Sequence, residues 1–106
     1  MQRTKFPESH ESDAAIIDEM HELNAKLIMS FSEEDRPKDQ YSRKLRWRFR
    51  SWLFQLDGRS VSLSLQESWE IHDDGYERIG SAWFREINDG NRSGLKLKEL
   101  IACEPF

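Results

Sequence analysis

Residues 52–65 read Trp52-Leu53-Phe54-Gln55-Leu56-Asp57-Gly58-Arg59-Ser60-Val61-Ser62-Leu63-Ser64-Leu65, and the choice between helix and strand here decides the fold. Asp-Gly between alternating segments is the strongest short-range hairpin signal, because both residues accept the positive φ of a tight two-residue turn. In the register that turn sets, Phe54 lies opposite Val61 and Trp52 opposite Leu63, so apolar cross-strand pairs collect on one face. A helix competes over 37–56. Tyr41, Leu45, Phe49, Trp52, Leu53 and Leu56 share a helical face, Pro37 suits a first turn and Gly58 a C-cap. That helix would leave Trp47 and Phe54 on its arginine-bearing side, so strand is preferred.

Immediately upstream, Arg43-Lys44-Leu45-Arg46-Trp47-Arg48-Phe49-Arg50 alternates basic with large apolar side chains. A two-residue period puts Leu45, Trp47 and Phe49 on one face, expected to enter the core, and Lys44, Arg46, Arg48 and Arg50 on the other. The hairpin, however, turns the even-numbered Trp52 and Phe54 inward. A β-bulge near Arg50 and Ser51 is therefore expected to change the phase. The same register sets Arg48 across from Glu67, an opposite-charge pair on neighbouring strands.

Downstream, Ser60 to Ile71 alternates Val61, Leu63 and Leu65 with serines and continues through Trp69, and His72-Asp73-Asp74-Gly75 forms a turn. Tyr76 to Ile87 makes a third strand. After a turn-rich loop at 88–94, Leu95-Lys96-Leu97-Lys98 makes a short fourth, which Leu100, Ile101 and Ala102 either extend or end in a helical turn. At the other end, Ile16, Met20, Leu23, Leu27 and Phe31 recur at steps of three and four, widened by Ile17 and Ile28. This spacing predicts an amphipathic helix over 15–31, capped by Ser12 or Asp13 and ended by the polar run 33–37, with Pro37 forcing a break. The expected fold is α+β: one N-terminal amphipathic helix packed on an antiparallel sheet of about four strands, with 1–12 as a disordered or extended tail.

Length and composition bound the class. A chain of 106 residues suits one domain and can bury roughly two-thirds of its unfolded surface. Aromatic content of 11% argues for a folded chain although 34% of residues are charged. Cys103 has no partner for a disulfide, no apolar run reaches the ~20 residues of a membrane span, and the polar N-terminus carries no signal pattern. A cytoplasmic protein with no membrane association is the expectation.

Charge is unevenly spread. Residues 1–42 carry net minus five, 43–59 plus five, 60–92 minus four, and 93–106 balance, for a total of minus four. The basic stretch is thus a local island, whereas a general nucleic-acid binder usually shows a basic field over a whole face.

The segment Arg78-Ile79-Gly80-Ser81-Ala82-Trp83, followed by Asp89-Gly90 and Gly94-Leu95-Lys96-Leu97, resembles a pattern in small uncharacterised bacterial proteins carried on plasmids and phages. The resemblance implies a C-terminal antiparallel hairpin and a mobile-element origin. It implies no activity and transfers no functional residue.

Catalytic chemistry is not signalled. His10, His21 and His72 do not stand with carboxylates at the spacing of metal or hydrolase motifs, and Cys103 has no adjacent base. His21 reads as a helix-surface residue and His72-Asp73-Asp74 as a plain turn. No enzyme activity, catalytic residue, metal or cofactor is expected.

Binding remains. The favoured expectation is a protein-binding module, such as an inhibitor, immunity protein or adaptor, whose partner is a basic or nucleic-acid-binding protein. Its candidate contacts are the acidic Glu33, Glu34, Asp35, Asp73 and Asp74, which could imitate a phosphate track, and Arg46, Arg48 and Arg50 as interface anchors. The alternative is a single-strand nucleic-acid binder with those arginines on phosphates and Trp47 or Trp69 stacking on bases. On a strand, however, Trp47 points away from the arginines. A homodimer is open to the chain if a sheet edge or a Trp-bearing face is left uncovered.

Overall fold

A computed structural model describes residues 6–7, 10–35, 45–88 and 96–103. Helix α1 (Glu11–Glu22) is followed by five strands: β1 (Lys26–Glu34), β2 (Leu45–Leu56), β3 (Arg59–His72), β4 (Gly75–Asn88) and β5 (Lys96–Cys103). They form one antiparallel sheet in the order β1-β2-β3-β4-β5. The chain is therefore α+β, with five strands where the sequence suggested about four.

The Asp57-Gly58 hairpin forms as read. Both residues have positive φ, 49° and 76°, which is what a two-residue turn matching the right-handed strand twist demands. Phe54 pairs with Val61, Trp52 with Leu63, and Arg48 with Glu67.

Three expectations change. The helix ends at Glu22, and Leu27 to Phe31 lie in β1. The cause is a C-terminal cap: Asn24 adopts φ 61°, its N–H reaches the His21 carbonyl at 3.0 Å, and the Ala25 N–H reaches the Met20 carbonyl at 3.1 Å. This is the Schellman arrangement, and its usual apolar contact is present because Met20 and Ala25 both enter the core. The N-cap is His10 without a side-chain cap bond, not Ser12 or Asp13.

The bulge expected at Arg50 and Ser51 is absent, since β2 and β3 pair without a shift from Leu45 to Leu56. Even-numbered side chains therefore face α1 along all of β2, and Leu45 and Trp47 face outward, with 46% and 42% exposure. The phase change is unnecessary because Arg48 and Arg50 find buried carboxylates on the inner side. Ahead of α1, Phe6 is buried. Its ring stacks on Tyr76 at 4.7 Å and meets the Trp69 edge at 5.5 Å.

The core lies between α1 and the sheet. Met20 and Ala25, with half-buried Ile16 and Ile17, cover Phe54, Val61, Leu63, Leu65 and Trp83, and Trp52 stacks on Trp83 at 5.4 Å. Phe54 is fully buried at the centre of this cluster. Phe54→Ala should lower unfolding free energy by about 3–5 kcal/mol in a urea titration, whereas Asp73→Ala in the exposed turn between β3 and β4 should stay within about 0.5 kcal/mol.

Candidate partner-binding surface

The basic island divides between two environments. Arg48 is buried: its Nε donates to Glu67 Oε1 at 2.6 Å, Nη2 to Oε2 at 3.2 Å, and Nη1 to the Pro7 carbonyl at 2.6 Å. Its guanidinium also lies 5.2 Å from the centres of the Phe6 and Trp69 rings. Arg50 Nη2 donates to Asp13 Oδ2 at 3.1 Å. Arg78 Nη1 donates to both Asp13 oxygens, at 3.1 and 3.0 Å, and to Glu67 Oε2 at 3.3 Å. Burial pulls the Arg50 pKa below its ordinary value, with the positive charges of Arg48 and Arg78 adding to the pull and Glu67 and Asp13 opposing it. Arg46 is half-buried, donating to the Tyr76 hydroxyl at 3.1 Å.

These contacts form a cluster of three guanidinium groups on two carboxylates beneath α1. Arg48 and Glu67 were legible as a cross-strand pair. Asp13 and Arg78 were not, because they stand 65 residues apart and no local pattern joins them.

The acidic candidates lie on the outside, in two separate groups. Glu33 and Glu34 close β1, and Asp35 donates its N–H to the Trp47 carbonyl at 3.1 Å. Asp73 and Asp74 form the exposed turn between β3 and β4. In an antiparallel meander the end of β1, the start of β2 and the β3–β4 turn share one end of the sheet. That half of the sheet carries Glu33, Glu34, Asp35, Glu70, Asp73, Asp74 and Glu77, with Glu33 level with Gln66 and the Asp73-Asp74 turn farther out along β3. Glu70 and Glu77 are paired across β3 and β4, and His72 Nε2 sits 3.2 Å from one and 2.8 Å from the other. No linear motif marks this trio, because only strand pairing brings Glu77 to His72. Glu70 is half-buried, His72 and Glu77 are exposed, and the imidazole is the one basic group among the three.

Between the acidic groups runs a groove on the sheet face opposite α1. Ser62, Ser64, Gln66 and Ser68 of β3 point to that side, so the middle strand is a low floor beside Trp47 and Phe49 of β2. Two shallow depressions share Trp47 and Ser68. One, of about 350 Å3, adds Glu33, Phe49 and Gln66, with Arg48 and Glu67 also in its lining. The other, of about 320 Å3, adds Asp35, Leu45, Arg46 and Ile79. The groove thus joins apolar anchors to an acidic rim.

Among the described residues no helix is long and apolar enough to cross a membrane. No family model, curated protein or solved structure matches the chain.

Glu67 is the carboxylate on which the inner cluster converges. Its side chain is fully buried and lies within 4 Å of all three guanidinium groups, so Glu67→Gln should destabilise the fold by roughly 3–5 kcal/mol in chemical denaturation.

Proposed function

We propose that this chain is a small non-enzymatic protein-binding module, of the inhibitor, immunity or adaptor kind, that receives a basic partner in the groove on its open sheet face. The observation that carries this is the siting of exposed Leu45 and Trp47 between acidic groups, Glu33 and Asp35 on the β1 side and Glu70, opposite Leu45, on β3. An apolar anchor on the partner would seat against Trp47, and basic groups around it would meet the acidic rim. Central desolvated aromatics supply binding energy, while rim charges steer encounter and select the partner.

Internal pairing strengthens the electrostatic side of this proposal. Arg48, Arg50 and Arg78 spend their charge on Asp13 and Glu67 under α1, so much of the chain's basic complement is turned away from the open face. The same burial removes support from a nucleic-acid role: Arg48 and Trp69 are 6% and 4% exposed, and Arg46 points to the side opposite Trp47. Arg43 and Lys44 lie outside the described residues. A cytoplasmic setting and a mobile-element origin belong to this proposal as its context.

Immobilised protein exposed to a lysate of its native host should retain one basic protein at fixed stoichiometry, and both Trp47→Asp and the pair Glu33→Lys/Asp35→Lys should lose it. Retention unchanged by either variant would overturn the assignment. A labelled single-stranded oligonucleotide should show no measurable binding near physiological salt, and micromolar affinity falling steeply with added salt would favour the nucleic-acid role instead.

A further inference from the structure

We infer that β1 is a self-recognition edge: it pairs antiparallel with β1 of a second copy, joining two five-stranded sheets into one of ten strands. Strand β1 is at the end of the sheet order and pairs, among the described residues, only with β2. All nine of its residues are exposed. Leu27, Ile28, Met29 and Phe31 show 44%, 50%, 59% and 53% exposure. Proteins that keep such edges single shorten them, charge their middle or cover them, because unpaired N–H and C=O groups beside apolar side chains recruit another strand. Here the middle is apolar and the charges stand at the ends. Among the described residues the one blunting device is the bulge at Ile28, which leaves Met29 to Glu34 in regular register with β2.

The order of residues names the occupant. Lys26 begins the strand, Glu33 and Glu34 end it, and Ser30 is its midpoint. Antiparallel pairing about Ser30 sets Met29 opposite Phe31 and, past the bulge at Ile28, Lys26 of each copy opposite Glu33 of the other, twice over by symmetry. Lys26 and Glu33 share the open face, as their β2 partners Gln55 and Phe49 do, whereas Glu34 turns to the α1 side with Arg48. Parallel pairing would instead bring the glutamates of the two copies together, which is repulsive. A two-fold axis normal to the sheet keeps both open faces on one side, so Phe31, which meets Phe49 at 6.3 Å, extends the apolar strip across the junction. The contact is isologous and uses both β1 edges, so it closes at two copies. The groove floor on β2 and β3 stays open in the pair, and this inference does not depend on what the groove binds.

Light scattering on a sizing column at micromolar concentration tests this, with the 12.6 kDa chain expected at twice its mass. Lys26→Glu and Glu33→Lys should each weaken the dimer about tenfold, since each reverses two symmetric pairs, and the double variant Lys26→Glu/Glu33→Lys should recover most of the loss. Both side chains are exposed, and unchanged thermal melts below the dimer concentration would show the variants to be folded; if one were unfolded, the other reads the same contact. A monomer at tens of micromolar, a dimer indifferent to both reversals, or a double variant no better than the singles would each overturn the inference.

Discussion

Glu67 occupies the middle of the middle strand with its carboxylate fully removed from solvent, and much of the molecule is organised by the need to neutralise it. Arg48 grips it from β2 with two hydrogen bonds, Arg78 reaches it from β4, and Arg50 lies within 3.6 Å. Three positive groups on one negative would leave a large uncompensated charge, and Asp13 from α1 supplies the second carboxylate. The helix is thus held to the sheet by ion pairs at its start and by Met20 packing near its end. Removing so many charges from water is expensive, and the attraction repays it only where geometry is good. Bidentate contact, planar guanidinium groups and the overlying Phe6 and Trp69 rings meet that condition.

This cluster also explains which parts of the fold were legible from residues alone. The Asp57-Gly58 turn is a local signal with a local cause, and from it the β2–β3 register followed, down to Arg48 facing Glu67. The helix boundary failed because Leu27, Ile28 and Phe31 satisfy a helical step and a strand equally, and the deciding event is one residue, Asn24, entering the left-handed region. The inward face of β2 failed for a different reason. Hydrophobicity assigned Trp47 to the core and Arg48 to solvent, but parity along an unbulged strand admits only one solution, and Asp13 and Arg78, far away in sequence, make the arginine side the buried one.

Of the candidate contacts, the two acidic runs were visible as runs, yet which carboxylates flank Leu45 and Trp47 was not. Glu70 lies opposite Leu45 only because β2 and β3 pair, while the Asp73-Asp74 turn runs beyond the start of β2. The serine stripe of β3 was read as the solvent side of an alternating strand. Its further role, as a floor between taller neighbours, appears only once β2 stands beside it.

The meander has a kinetic corollary. Every strand pairs with its neighbour in sequence, so the sheet can grow hairpin by hairpin from β2–β3 with little loop entropy lost at each step. The Asp13–Arg78 contact is of the opposite kind, closing a 65-residue separation. Docking of α1 is therefore expected late in folding and early in unfolding. On that order the arginines of β2 stay hydrated until the second carboxylate arrives, and water leaves the ion cluster in the same step.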